Sequence, residues 1–326
     1  MRELMFREAI NEALDEEMSR DEKVFILGED IGTYGGVFKC TAGLREKYGD
    51  RCRDSALSEP GFVGIGIGSA ITGLRPVIEV SFGDFAMVAM DQICNQMAKI
   101  RYMSGGQVNV PMVIRMSTGS GLSSAAQHSQ NLHALFAHIP GMKVVLPSTS
   151  GEAKGLLKTA IRDNNPVIFM EHRKMYTTKF HDVPELGEEV LIPFGQARIV
   201  TTGDDITVVA NSIMTMKAEK AVRALAEEGI QAELIDLRTI VPLDTQTIIQ
   251  SVKKTGKLLI VDEGHEGFGI TGEITARVLP EVFSDLDYPI MRLCTGNVPI
   301  PFSPVLEFSL LPDENKIMEK IRSMVK

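Results

Sequence analysis

Short apolar runs rich in β-branched residues alternate with helix-length stretches along this chain, and the alternation occurs twice. Residues 24–27, 76–80, 110–114, 143–146 and 166–170 read as buried strands. Residues 85–103, 131–138 and 151–163 between them read as helices. Strands that alternate with helices predict an α/β fold with a mostly parallel sheet covered on both faces. The pattern breaks after Met170. Residues 177–193 hold two prolines, mixed charge and no period, and read as an interdomain linker. A second series follows, with strands at 206–210, 232–236 and 257–261 and helices at 216–228, 244–254, 272–279 and 313–325. Asp244 suits a helix N-cap, and Gly229 and Gly256 stand where helices end. The expected layout is a domain over 1–176, a linker over 177–193 and a domain over 194–326.

Charge and cysteine content narrow the function classes. Asp plus Glu outnumber Lys plus Arg by 43 to 34, a net charge of −9, which disfavours a nucleic-acid binder. No apolar run reaches the ~20 residues that cross a bilayer. The opening Met-Arg-Glu-Leu-Met-Phe-Arg-Glu lacks the apolar core of a targeting peptide. Cys40, Cys52, Cys94 and Cys294 form no CxxC pair, so a disulfide framework or structural zinc is not expected and a cytoplasmic location fits.

The stretch Gly61-Phe-Val-Gly64-Ile-Gly66-Ile-Gly68 resembles a dinucleotide fingerprint, but polar residues and Pro60 precede it where that fingerprint needs a strand. Its glycines read instead as a helix face for close packing. Glu59 stands at the mouth of that helix. It is either a plain partner of the helix dipole or a carboxylate aimed into a cleft to exchange a proton with a ring nitrogen. His128, His133 and His138 are spaced five apart and cannot converge on one metal from a single helix. His128 follows the glycine- and serine-rich loop 117–124 and is either an active-site acid or base or a surface hydrogen-bonding group. Asp163-Asn164-Asn165-Pro166 reads first as a turn and second as oxygen ligands for a hard cation. Phe82 and Phe85 read as core or as a wall beside an aromatic ligand.

Together these stretches resemble the β subunit of the heteromeric, thiamine diphosphate-dependent component of 2-oxo acid dehydrogenase complexes. The carriers include Leu27-Gly-Glu-Asp30, Leu57-Ser-Glu-Pro-Gly-Phe62, Thr72-Gly-Leu-Arg-Pro76, Ala126-Gln-His-Ser-Gln130, Phe136-Ala-His-Ile-Pro-Gly141, Ala160-Ile-Arg-Asp-Asn-Asn-Pro166 and Asp236-Leu-Arg-Thr-Ile-Val-Pro-Leu243. The resemblance implies a transketolase-like fold, a pyrimidine-binding domain followed by a transketolase C-terminal domain. It implies that Glu59 hydrogen-bonds the aminopyrimidine ring nitrogen, with Leu57 and Phe85 as the apolar wall. It also implies that His128 faces the reacting carbon, to transfer protons or to seat the incoming lipoyl group. Met112, Ala160, Ile161, Asp163 and Asn165 match the family's potassium site, the first three through backbone carbonyls.

One absence sharpens the expectation. Such enzymes hold the diphosphate through Mg²⁺ on a Gly-Asp-Gly motif, which this chain lacks; Gly83-Asp84-Phe85 is the nearest approach. The resemblance therefore implies an α subunit that holds Mg²⁺ and the diphosphate, in an α₂β₂ heterotetramer. The C-terminal domain would dock a dihydrolipoyl acyltransferase core. The expected activity is oxidative decarboxylation of pyruvate with acyl transfer to lipoamide. Acetoin and branched-chain 2-oxo acids are alternative substrates, and a non-catalytic scaffold subunit is the alternative from another class.

Overall fold

Val24, Ile26 and Leu27 are buried in the first parallel strand, as an apolar run without polar alternation requires of a sheet covered on both faces. The computed structural model describes residues 1–325. The chain divides into two units, Met1–Thr118 with Leu135–Phe194, and Gly119–Ala134 with the chain from Gly195 onward. The first unit begins with β1 (Arg2–Met5), α1 (Phe6–Arg20), β2 (Val24–Gly28), α2 (Leu44–Tyr48) and β3 (Cys52–Asp54). It continues with α3 (Glu59–Ile71), β4 (Arg75–Val80), α4 (Ile100–Met103) and β5 (Val113–Thr118). After α5 (His133–Ala137), where the chain returns to this unit, come β6 (Lys143–Val145), α6 (Ser150–Arg162), β7 (Val167–His172) and β8 (Lys179–Val183).

Within this unit the strands run parallel in the order β6-β7-β5-β4-β2-β3. Every residue of β5 and β7 is buried. Gly28 ends β2 where a Cβ would lie 2.6 Å from the Glu79 carbonyl oxygen, so only glycine permits that strand spacing.

Three local expectations shift. The strand expected at 110–114 begins instead at Val113, because β5 is hydrogen-bonded on both sides and Pro111 has no N–H to give. The Met112 amide turns back to the Val110 carbonyl (2.8 Å) just before it. The helix expected over 85–103 is a 3₁₀ stretch Gly83–Ala89, a π turn Gln92–Met97 and α4. Its buried Ala86, Ala89, Ile93 and Met97 step by three and then by four. The tight turn aligns the first pair, and the wider turn follows the rest. Lastly, the segment 177–193 contains β8, which pairs antiparallel with β1 (Arg2↔Val183, Leu4↔Phe180).

The second unit holds β9 (Arg198–Thr201), β10 (Ile206–Ala210), α7 (Ser212–Glu227), β11 (Ala232–Asp236), β12 (Thr239–Val241) and α8 (Thr245–Thr255). Then come β13 (Leu258–His265), α9 (Ile270–Val282), β14 (Met291–Thr295), α10 (Pro304–Leu310) and α11 (Glu314–Val325). Its sheet runs β14-β13-β10-β11-β9, parallel except for the edge strand β9. Asp244 caps α8 by accepting from the Thr247 amide (3.1 Å), and Gly256 closes it with φ +67°. Among the described residues no helix is long and apolar enough to cross a membrane.

Candidate active site

Parallel sheets leave a crevice beyond the carboxyl ends of their strands, where turning loops converge. In the first unit Glu29 follows β2, Glu59 follows β3, and Phe82 and Phe85 follow β4. Glu59 is the first residue of α3, with Ser58 at the N-cap and Pro60 next in line. Proline suits that first turn because its missing N–H has no partner there in any case. The carboxylate thus sits at the positive end of the helix dipole. The glycine stretch lies inside α3 rather than in a turn before it. At Gly66 a Cβ would come 2.8 Å from Ile78 Cγ1 and 2.9 Å from Met112 Cε. Close packing is the use of that glycine.

Glu29 is the residue the sequence reading quoted without assigning a role. Its Oε1 is buried and finds no hydrogen-bond partner. Burial first, then the Glu59 and Asp30 carboxylates, push the Glu29 carboxyl above the usual carboxylate range. A carboxyl whose ionisation is made costlier by burial and a neighbouring carboxylate at a strand-end crevice favours a site where protons are held and exchanged. The signal in the sequence was Gly28-Glu29-Asp30 directly after an apolar strand.

The sign of this shift is testable. A carboxyl with a raised folded pKa gives stability below its ordinary range, and that stability is lost as pH rises through the raised value. Glu29→Gln is therefore expected to raise Tm by about 2 °C near neutral pH. The difference should vanish at about pH 4, where the wild-type group is neutral. Melting curves at the two pH values check it.

The aromatic expectation finds a connected cluster. Phe85 is half-buried and meets Phe82 edge to face, with centroids 5.7 Å apart. Phe82 contacts Phe38 (5.8 Å), which stacks on Tyr176 (4.5 Å). The 3₁₀ stretch bearing Phe85 packs on α3. Leu57 precedes the helix and is 86% exposed. Glu59, Leu57 and Phe85 thus lie on contiguous pieces of the first unit, with an orphaned carboxyl oxygen nearby. A flat, apolar ring bearing polar nitrogens suits this combination.

The expected cation ligands also lie in the first unit. Met112 O accepts from the Val167 amide (2.9 Å), and Ala160 O from the Asp163 amide (3.3 Å). Arg75 Nη1 donates to Ile161 O (2.9 Å) and to Asp163 O (3.1 Å). The Asp163 carboxylate pairs with Lys143 and accepts from the Asn165 amide (2.8 Å) and side chain (2.9 Å). These are oxygens of hard-cation chemistry. A carbonyl oxygen has two lone pairs, so each keeps one acceptor site beyond the bond described. A potassium ion there would share the oxygens with the Arg75 guanidinium.

His128 belongs to the second unit, in a 3₁₀ turn Ala126–His128. The glycine- and serine-rich loop is tied at several points. Ser120 Oγ donates to Ser129 O (2.9 Å), and the Gly119 amide reaches Gln130 O (3.4 Å). Glu263 Oε1 accepts from the Ser120 amide (2.7 Å) and from Asn131 Nδ2 (2.9 Å). Glu307 accepts from the Gly121 amide (2.6 Å), the Ser123 amide (2.9 Å) and Ser123 Oγ (3.3 Å). Sequence reasoning named neither acid. The available signal was a lone carboxylate in the apolar run Pro304-Val-Leu-Glu-Phe-Ser-Leu310. His133 is buried, its Nε2 2.9 Å from Asp262 Oδ2. Burial alone would lower the imidazole pKa, but the Asp262 carboxylate raises it overall. Asn211 Nδ2 holds the other Asp262 oxygen (3.0 Å).

Residues 2–179 match the transketolase pyrimidine-binding domain family, and residues 195–317 match the transketolase C-terminal domain family. The chain is 47% identical to the acetoin:2,6-dichlorophenolindophenol oxidoreductase subunit beta of Cupriavidus necator, over 100% of this chain and 98% of that one. It is 46% identical to the pyruvate dehydrogenase E1 component subunit beta of Rickettsia felis, over 99% of this chain and 98% of the relative. It is 42% identical to the 2-oxoisovalerate dehydrogenase subunit beta of Bacillus subtilis, over 98% of each. A solved chain titled "Split gene transketolase, inactive beta4 tetramer" superimposes with a TM-score of 0.79 at 23% identity, covering 99% of this chain and 98% of that one. That last likeness concerns the fold.

Proposed function

We propose, from the premise that this chain belongs to the family of β subunits of thiamine diphosphate-dependent 2-oxo acid dehydrogenases, that it supplies the pyrimidine half of the cofactor site. The observation that carries the proposal is the Glu59 carboxylate at the N-terminus of α3, electrostatically coupled to Glu29. When bound, thiamine diphosphate supplies the electron sink on which the carbon–carbon bond of the substrate breaks. Glu59 would hold a proton at the pyrimidine ring nitrogen, from its place at the N-terminus of α3. Phe85 and Leu57 would exclude water from the ring face. His128 would move a proton at the reacting carbon or seat the acyl acceptor. Carbonyls of Met112, Ala160 and Ile161, with Asp163 and Asn165, would take potassium and stiffen the strand ends.

The reaction we assign is oxidative decarboxylation of a 2-oxo acid, pyruvate first, with acyl transfer to lipoamide; acetoin is the alternative that the relative from Cupriavidus necator favours. An α subunit would bind Mg²⁺ and the diphosphate in an α₂β₂ assembly, since the Gly-Asp-Gly motif is missing from this sequence. The C-terminal domain would dock an acyltransferase core.

The test is reconstitution. The chain alone, with thiamine diphosphate and Mg²⁺, is expected to give no turnover of pyruvate, acetoin or branched-chain 2-oxo acids. Co-expressed with its α partner, it should reduce 2,6-dichlorophenolindophenol with one of them. Full turnover by the isolated chain would overturn the shared-site reading, and an inactive pair would leave the scaffold reading in its place.

A further inference from the structure

The geometry points to Glu307 as a positioning residue, an internal anion that moulds the 119–130 loop around itself and so sets where His128 is presented. Its link to catalysis rests on the reading above, in which His128 takes part in the reaction. Glu307 is 0% exposed, and among the described residues no lysine, arginine or histidine pairs with it. A buried carboxylate without a cation must be held by hydrogen-bond donors. The donors here are the Gly121 and Ser123 amides and the Ser123 hydroxyl, with both carboxylate oxygens engaged.

The loop backbone is shaped for this. Gly119, Gly121, Ser123 and Ala125 have φ of +95°, +90°, +53° and +60°. Left-handed residues turn successive N–H groups toward one point, which creates an anion cradle. Serine and alanine adopt that region at a cost, so the conformation persists only if something rewards it. At Ser123 the Glu307 charge is that reward. Glu263 fixes the two ends of the same loop through the Ser120 amide and Asn131, and His128 lies on the stretch between the anchors.

Removing the anion and then returning it tests the proposal. In the assembled α–β enzyme, Glu307→Ala should lower kcat by roughly 10- to 100-fold through misplacement of His128, with little change in KM for the 2-oxo acid. Amide exchange at Gly121 and Ser123 should rise by roughly tenfold or more. Formate, which fits the vacated cradle, should restore both activity and protection, whereas neutral formamide should restore neither. The double variant His128→Ala/Glu307→Ala should be no slower than His128→Ala alone.

Should Glu307→Ala fail to fold, Glu307→Gln takes its place. Its amide nitrogen must face an N–H, so one of the two loop amides is expected to lose protection. Unchanged kcat and unchanged amide protection in these variants overturn the proposal, as does formamide rescuing as well as formate. If His128→Ala is fully active while the loop amides still respond to Glu307 and formate, the anchor stands and the assignment of His128 falls.

Discussion

Glu59→Ala will abolish exchange of the cofactor C2 proton in the assembled enzyme, and Glu59→Gln will nearly do so. The carboxylate is the only proton-holding group that α3 presents at its N-terminus, and Ser58 and Pro60 on either side cannot substitute for it. Loss of a positioned acid–base group removes roughly 10²–10⁴-fold in rate. Glutamine keeps the shape and can still hydrogen-bond, so the two variants separate placing the ring from passing it a proton. The fold should tolerate either change. Glu59 is half-buried on a helix end, where its dipole interaction contributes about 0.3–1 kcal/mol. Its loss also relieves the repulsion that raises the Glu29 pKa. Proton exchange at C2, followed by NMR next to an unchanged melting curve, makes the measurement. A wild-type exchange rate in Glu59→Ala would remove this residue from the mechanism, and with it the observation on which the proposed function stands.

What the sequence made legible was what local chemistry decides. Apolar β-branched runs gave β2, β4, β6 and β7 nearly to the residue, and Asp244 marked the start of α8 because an N-cap acts within three residues. Glu59 stood out for the same reason, flanked by a serine at the N-cap position and a proline that together announce a helix start. What it hid depends on distant partners. β8 has alternating partial exposure and few apolar residues, and it becomes a strand by pairing with β1 at the other end of the unit. Glu29 looks like any acidic turn residue until β3 and α3 bring Glu59 near. Glu307 looks like a polar interruption of an apolar helix until a loop some 180 residues earlier wraps it. The helix over 85–103 was misread for a subtler reason. The apolar spacing there mixes steps of three and four, and a propensity argument cannot say which turn tightens and which widens.

Arg115→Met should be the most damaging single change outside the site. Arg115 is 1% exposed in the middle of β5 and lies between two carboxylates. Its Nη1 reaches Glu79 Oε2 (2.7 Å), while Nε and Nη2 grip both oxygens of Glu171 (2.7 and 2.8 Å). Tyr176 adds a hydroxyl donor to Glu171 (2.8 Å). Burial pushes the Glu171 carboxyl up, although Arg115 and Tyr176 pull it down. The cation therefore offsets part of the cost of burying two adjacent acids inside a sheet. Methionine preserves much of the volume but leaves both acids unpaired, which costs about 3–5 kcal/mol for a broken buried pair. Tm should fall by about 10 °C near neutral pH. The loss should shrink as pH is lowered, because without the guanidinium the acids fold more readily once protonated, and a raised carboxyl pKa favours the folded state at low pH. Adding Glu171→Leu to Arg115→Met removes one orphaned acid and should recover part of the loss. A deficit that is the same at acidic and neutral pH would mean that packing around β5, rather than charge pairing, explains why an arginine is buried there.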